Sequence, residues 1–182
     1  ALSISPNVKN KPDPELTVAT INFQGKPIHT CGDLPAVGTQ APDFRLCNRQ
    51  LRDVSLKDFA GKRKLLSIVP SLDTPTCQTS TRKFNQKAAQ LHNTEVLVVS
   101  ADLPFAQVRF CETDGIKNLS ALSSFRSSFA QAYGLTLTDS LLAGLMARGI
   151  IILDENNRVI YQELVSEITA EPDYANALAI LA

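Results

Sequence analysis

Three short apolar runs, separated by stretches of helical periodicity, constrain the fold of this chain more than any other feature. They are LLSIV (65–69), EVLVVS (95–100) and GIIIL (149–153). Each has the length of a strand and is rich in leucine and β-branched residues, as is typical of strands covered on both faces. Between the first two runs, Cys77, Phe84 and Leu91 share one face of a predicted helix over 75–91. Buried strands that alternate with helices predict an α/β domain.

Turn signals near both ends of the chain predict hairpins. Residues 24–26 separate two strand-like segments, LTVATINF and PIHTC, and residues 155–157 precede the strand-like RVIYQEL (158–164). Hairpins supply antiparallel strands. The prediction is therefore a mixed central sheet flanked by helices, with an N-terminal β-hairpin, rather than a wholly parallel sheet.

The segment 43–56 alternates apolar and polar residues, which is the period of a half-buried strand. Phe44 and Leu46 take its apolar side, so Cys47 is expected on the polar side. Further helices are predicted from Pro104 to near Cys111, from Ser124 to Tyr133 with Gly134 as the stop, and from near Pro172.

Size and composition place these elements in one globular domain. At 182 residues the chain is long enough to bury a core without disulfides. Its 18 basic and 18 acidic residues cancel, which argues against a protein that coats nucleic acid or an anionic membrane. No apolar run approaches the roughly 18 residues that a membrane-spanning helix needs. Residues 1–15, polar and proline-containing, are expected to form a flexible arm, and residues 16–182 to form the domain.

Four cysteines, Cys31, Cys47, Cys77 and Cys111, are separated by 16, 30 and 34 positions. These spacings exclude a C-x-x-C motif, and with it a zinc ribbon and a thioredoxin-type dithiol. The chain has only two histidines, so a Cys/His metal site has few ligands. The thiols are therefore structural, reactive or a mixture of the two.

Residues 70–77, PSLDTPTC, lie where the first apolar strand is expected to meet the 75–91 helix. Thr74 suits the N-cap and Pro75 the first helical position. Cys77 then falls in the first turn, where unpaired N–H groups favour a negative sulfur by roughly 0.3 to 1 kcal/mol. A thiolate held there is a nucleophile. The alternative is that Cys77 is a small core residue on the apolar face, and the spacing alone leaves both open.

The pattern Pro-x-x-x-Thr-x-x-Cys, formed by Pro70, Thr74 and Cys77, resembles the active-site signature of the peroxiredoxins. The surrounding sequence resembles one branch of them, the atypical two-cysteine bacterial thiol peroxidases. Other blocks that carry the likeness are FQGKPI (23–28), SADLPFAQVRFC (100–111), LSSFR (122–126), QAYG (131–134), GLMARGIIILDENNRVIYQELVSEIT (144–169) and EPDYANAL (171–178). The resemblance covers residues 16–182 and implies a thioredoxin-like fold.

The resemblance also implies a role for each matching residue. Cys77 would be the peroxidatic cysteine that attacks the peroxide, and Cys111 the resolving cysteine of the same chain. Thr74 would hydrogen-bond the thiolate and the peroxide, and Pro70 would shield the site. Arg148 would stabilise both the thiolate and the polarised peroxide, so no metal or organic cofactor is needed.

In the implied cycle, hydrogen peroxide or an organic hydroperoxide oxidises Cys77 to a sulfenic acid, which condenses with Cys111 to a disulfide. Residues 74–80 would unwind to bring the two sulfurs together, and thioredoxin would reduce the bond. The resemblance further implies a homodimer whose partner helps to enclose the site. The compartment is expected to be the cytoplasm, or the periplasm if a signal was removed before Ala1.

The remaining candidates carry more than one interpretation. Arg82 and its neighbours Lys83 and Lys87 are interpreted as a solvated helix face, and Arg126 as a surface charge or a residue at the edge of the site. Cys31 and Cys47 match no residue of the cycle and are expected to be inert thiols. The apolar residues Phe84, Leu103, Phe105, Phe129 and Leu141 could line the mouth of a pocket or belong to the core.

Two other functions remain open. A peroxide-sensing redox relay would pass the Cys77–Cys111 disulfide to a partner protein. A non-catalytic binding domain would keep Cys77 as a packed thiol insensitive to peroxide. Rapid multiple turnover with thioredoxin distinguishes the enzyme from the relay.

Overall fold

The computed structural model describes residues 18–182, so the arm predicted for residues 1–15 lies outside the described residues. The described part begins with an antiparallel hairpin of β1 (Thr20–Phe23) and β2 (Lys26–His29). Its two-residue turn, Gln24-Gly25, has positive φ at both positions, 52° and 75°, as such hairpin turns require. The predicted N-terminal hairpin is confirmed.

A seven-stranded mixed sheet forms the centre of the molecule, in the order β4-β3-β7-β6-β5-β8-β9. Its strands are β3 (Leu46–Cys47), β4 (Asp53–Val54), β5 (Arg63–Ile68), β6 (Thr94–Ser100), β7 (Ser120–Ser123), β8 (Gly149–Leu153) and β9 (Val159–Leu164). Neighbours β5, β6 and β7 run parallel, and the other pairs are antiparallel. The predicted mixed sheet is therefore confirmed.

The helices are α1 (Pro75–Ala88), α2 (Pro104–Thr113), α3 (Phe129–Ala132) and α4 (Tyr174–Ile180), with a 3₁₀ turn at Leu56–Phe59. Helix α1 follows β5 and α2 follows β6, and each starts with a proline in its first turn. Because β5 and β6 are parallel, both helices begin at the same edge of the sheet. That edge brings together the loops that carry the candidate catalytic residues.

Both faces of the central strands are covered. In β5, the adjacent residues Leu65 and Leu66 point to opposite faces and both are fully buried. Leu65 belongs to the cluster beneath α1 and α4, and Leu66 to the larger cluster on the other face. A third cluster, containing Val69, Cys77 and Phe110, lies between the start of α1 and the second half of α2.

Two local predictions are wrong. The helix expected over 124–133 is limited to Phe129–Ala132, because the Ser127 hydroxyl accepts a hydrogen bond from the Phe129 N–H and forms a turn before the helix. Cys47, expected on a polar side, is 1% exposed. Strand β3 lies between β4 and β7 rather than at the sheet edge, and both Leu46 and Cys47 are buried.

Gly134 ends α3 with a φ of 69°. A Cβ at this position would lie 2.2 Å from the Asp33 carbonyl oxygen, so both the backbone conformation and the close approach require glycine. Within residues 18–182, no helix has both the length and the apolar character that a membrane span requires.

Candidate active site

Cys77 lies in the first turn of α1, at the carboxyl edge of β5. Its side chain is 0% exposed and packs in the third cluster with Val69, Leu72 and Phe110. Pro70, in the loop that joins β5 to α1, is also buried. The thiol therefore occupies a buried apolar pocket between the start of α1 and the second half of α2.

Arg148 supplies a buried positive charge to this pocket. Its Nη2 lies 3.3 Å from Cys77 Sγ, and its Nε donates to the Ile168 carbonyl oxygen at 3.0 Å. The residue is 3% exposed. Strand β8 pairs with β5 so that Gly149 faces Ile68, which places Arg148 beside the end of the strand from which the Cys77 loop departs.

One nitrogen of this guanidinium is free for a substrate. Among the residues that the structure describes, Arg148 Nη1 is buried and has no hydrogen-bond partner. A guanidinium carries five N–H donors, and an unpaired donor is costly when buried. A polar oxygen that enters the pocket would satisfy Nη1 while Nη2 stays on the sulfur.

Thr74 occupies the N-cap position of α1, and Pro75 follows at the start of the helix, as predicted. The Thr74 side chain does not cap the helix, because its hydroxyl donates to the Ser71 carbonyl oxygen at 2.9 Å. This bond commits the only proton of the hydroxyl. The oxygen lone pairs remain available to accept a proton from a bound peroxide.

Cys111 lies in the last turns of α2, half-buried. It borders the third cluster, to which Cys77 belongs, and it also lines a cavity of about 330 Å³ between α2 and the β3–β4 edge of the sheet. Burial raises the pKa of the Cys111 thiol, and the nearby charge of Arg49 opposes that shift. Within residues 18–182 all four cysteines are free thiols, so the structure represents the reduced arrangement.

Three other basic residues considered from the sequence, Arg82, Lys83 and Arg126, form ion pairs on the surface. Arg82 pairs with Asp114 at 2.6 Å, Lys83 pairs with Glu171 at 2.8 Å, and all four side chains are at least partly exposed. These contacts agree with the interpretation of a solvated helix face. The pKa of Glu171 lies below its usual value because Lys83 and Tyr174 donate hydrogen bonds to the carboxylate.

Arg126 forms an ion pair at the far edge of the sheet, where its Nη2 lies 2.8 Å from Asp53 Oδ1. This placement agrees with a surface charge. Cys31 is half-buried beside the start of α3, with its sulfur 4.0 Å from the Ala130 carbonyl oxygen.

The apolar residues proposed for a pocket mouth divide into two groups. Phe84 and Phe129 are buried in two different core clusters, so the interpretation of a shared pocket mouth is wrong for this pair. Leu103, Phe105 and Leu141 are exposed.

Asp102, which follows β6 at the same edge of the sheet, was not predicted from the sequence to contact the Cys77 loop. Its carboxylate accepts hydrogen bonds from the Ser71 hydroxyl and the Leu72 N–H, each at 2.7 Å. Its position immediately after a buried strand that runs parallel to β5 was the available signal.

Comparison with known proteins identifies the family. Residues 36–178 match the Redoxin family. The chain is 51% identical to the thiol peroxidase of Corynebacterium glutamicum over 164 residues, which cover 90% of this chain and 99% of that protein.

Two solved structures share the architecture. A peroxiredoxin-like protein from Aquifex aeolicus matches with a TM-score of 0.85 at 38% identity, over 90% of this chain and 96% of that one. A thiol peroxidase from Chromobacterium violaceum matches with a TM-score of 0.83 at 24% identity, over 89% of this chain and 94% of that one, which shows a shared fold. The predicted thioredoxin-like fold and the prediction of a peroxidase are confirmed, and the chain belongs to the Redoxin family, among the thiol peroxidases of the peroxiredoxins.

Proposed function

We propose that this peroxidase reduces hydrogen peroxide and organic hydroperoxides with Cys77 as the attacking thiolate and Cys111 as the resolving thiol. The observation that carries the proposal is the 3.3 Å contact between Arg148 Nη2 and Cys77 Sγ in a buried pocket. A buried cation at this distance stabilises negative charge on the attacking sulfur, because a charge-assisted contact is stronger away from water. It does so without a metal or an organic cofactor.

The first step transfers one oxygen atom to sulfur. The Cys77 thiolate attacks the terminal oxygen of ROOH, the O–O bond breaks, and the leaving alkoxide takes a proton to become ROH. Cys77 becomes a sulfenic acid. Negative charge develops on the leaving oxygen, where the unpartnered Arg148 Nη1 is available as a donor. Thr74, whose hydroxyl proton is committed to Ser71, accepts the O–H of the substrate and orients it.

The second step forms a disulfide within the chain. The Cys111 thiolate attacks the Cys77 sulfenic sulfur, and hydroxide leaves and is protonated to water. An S–S bond is about 2.05 Å long, whereas Cys77 is sealed in the first turn of α1 and both thiols are free. We therefore propose that the segment around Cys77 moves before the bond forms. A dithiol reductant of the thioredoxin type then restores both thiols, and the two hydrogens it supplies balance the cycle.

A coupled steady-state assay with thioredoxin, its reductase and a hydroperoxide tests this cycle. Wild type is expected to turn over many times per chain, Cys77→Ser to lose activity, and Cys111→Ser to stop after one equivalent of peroxide. Cys31→Ser is the matched control and is expected to keep wild-type turnover. Full turnover by Cys111→Ser would remove Cys111 from the cycle.

The rate at which thioredoxin reduces the disulfide separates the peroxidase from the redox relay. If the disulfide forms at once but thioredoxin reduces it slowly, the pair acts as a redox relay to another protein.

Size-exclusion chromatography with light scattering tests the homodimer that the family resemblance implies. A monomer at assay concentrations would contradict it.

A further inference from the structure

A network of hydrogen bonds at the carboxyl edge of the sheet converges on Asp102. Oδ1 accepts from the Ser71 hydroxyl at 2.7 Å. Oδ2 accepts from the Leu72 N–H and from the Ser100 hydroxyl, each at 2.7 Å. One carboxylate therefore joins the loop before α1 to the end of β6. Charge-assisted bonds of this kind are about twice as strong as neutral ones.

The network continues into α2, the helix that carries Cys111. Gln107 Nε2 donates to the Ser100 hydroxyl at 3.0 Å and to the Leu122 carbonyl oxygen at 2.9 Å. Gln107 is 2% exposed and lies one helical turn before Cys111. The chain of contacts from Ser71 through Asp102 and Ser100 to Gln107 thus links the two segments that carry the reacting cysteines.

Asp102 also fixes the position of Thr74. The carboxylate holds Ser71, and the Ser71 carbonyl oxygen accepts from both the hydroxyl and the N–H of Thr74, at 2.9 and 3.3 Å. The Ser71 hydroxyl in turn accepts from the Asp73 N–H at 3.1 Å. The Asp102 side chain, which lies outside the loop, therefore holds the loop in front of Cys77 at two points, the Ser71 hydroxyl and the Leu72 N–H.

We propose that Asp102 is a positioning residue of the peroxidase reaction. It holds residues 71–74 in the folded arrangement that attacks peroxide, and its release from the loop limits the rate at which the Cys77–Cys111 disulfide forms. This inference rests on the proposed roles of Cys77 and Cys111. It adds that the same carboxylate influences both chemical steps, in opposite directions.

Asp102→Asn is the direct test, since the amide has nearly the same size but retains only one oxygen to accept hydrogen bonds. The loop is held less firmly, so the disulfide step is expected to accelerate by about tenfold or more. Oxidation of Cys77 is expected to slow, because the loop that holds Thr74 is less firmly positioned. A purely structural role would slow both steps together, so an accelerated disulfide step distinguishes positioning from general loss of structure.

Asp73→Asn is the matched control. It removes one carboxylate charge from the loop itself, but Asp73 is exposed and its only ion pair, among the described residues, is a loose contact of 3.6 Å with Arg109. Both steps are expected to keep their wild-type rates. Gln107→Met breaks the α2 end of the network but leaves the bonds from Asp102 to the loop. It is therefore also expected to keep the wild-type rate of disulfide formation.

Rapid chemical quench with mass spectrometry measures both steps, because the chain has no tryptophan to report them by fluorescence. Consumption of the Cys77 thiol gives the first rate, and appearance of the Cys77–Cys111 peptide gives the second. At excess peroxide, the sulfinic acid fraction of Cys77 is expected to fall in Asp102→Asn, because faster disulfide formation competes with overoxidation.

The outcomes separate the two proposals. Absence of the disulfide in wild type would overturn the proposed function. If wild type forms the disulfide, equal rates for wild type and Asp102→Asn, or a slower second step, would overturn the role of Asp102. Should Asp102→Asn fail to fold by circular dichroism, Ser71→Ala decides by the same rates, because it removes the hydroxyl that donates to Asp102 and accepts from the Asp73 N–H.

Discussion

The guanidinium of Arg148 lies 3.3 Å from the sulfur of Cys77, although 71 positions separate the two residues in the chain. The contact exists because β8 pairs antiparallel with β5 and begins beside the loop that leads into α1. The charge and the nucleophile therefore come from opposite ends of two neighbouring strands. Movement of the first turn of α1 would separate them.

Replacement of Arg148 by methionine is expected to lower the rate of Cys77 oxidation by about 100-fold or more, which is typical for loss of a donor to developing negative charge. Arg126→Met is the control, because Arg126 is engaged with Asp53 at the far edge of the sheet, and it is expected to react like wild type. Single-turnover consumption of the Cys77 thiol by hydrogen peroxide gives both rates. Equal loss in the two variants would contradict the assignment of Arg148.

Thr74→Val should slow peroxide oxidation by about tenfold to 100-fold, because it removes the hydroxyl that accepts the substrate proton. Thr74→Ser keeps the hydroxyl and is expected to retain most of the rate. The test is kcat/KM for hydrogen peroxide in the coupled assay. A valine variant that keeps the wild-type kcat/KM would contradict this role of the hydroxyl.

The disulfide step is expected to accelerate as pH rises from 7 to 9. Burial raises the pKa of the Cys111 thiol, and only the thiolate attacks, so the rate gains up to about tenfold per pH unit below that pKa. Arg49 opposes the shift, and Arg49→Gln is expected to slow the step two- to threefold at pH 7.5, since the charge is exposed and screened. Arg52→Gln serves as the control. A pH-independent step measured by rapid quench would contradict this dependence.

Lys64 is expected to make the free energy of unfolding depend on pH, independently of the candidate active site. Its side chain has no exposed surface, and its Nζ donates to Asn157 Oδ1 at 2.6 Å. Burial lowers its pKa, with Asp154 and Glu155 acting in the opposite direction. Between the folded and the unfolded pKa the unfolded chain binds more protons, so the free energy of unfolding must rise with pH in that window.

Lys64→Met lacks this titration. The stability of wild type relative to Lys64→Met is therefore expected to increase between pH 7 and pH 10 in urea denaturation. A difference that stays constant, or that shrinks as the pH rises, would show that the lysine has a normal or a raised pKa in the folded protein.

The sequence predicted those parts of the site that depend on local patterning. The apolar runs of β5, β6 and β8 and the spacing within α1 were sufficient to place Cys77 at a junction of strand and helix. Arg148 required the family resemblance, because its contact with Cys77 depends on strand pairing between distant segments.

The features that the sequence did not predict depend on contacts outside the local pattern. Thr74 occupies the predicted cap position, but its hydroxyl bonds to Ser71 because the loop folds back on itself. Cys47 was assigned to a polar side because alternation within a single strand carries no information about which strands flank it. Asp102 was missed, since only the parallel pairing of β5 and β6 brings its carboxylate to the Cys77 loop.

The most direct test of the central claim is disulfide mapping by mass spectrometry, after one equivalent of an organic hydroperoxide is added to the fully reduced protein. A rapid and nearly complete Cys77–Cys111 bond within one chain is the predicted result. Cys77 that stays reduced while Cys31 or Cys47 is oxidised would contradict the account.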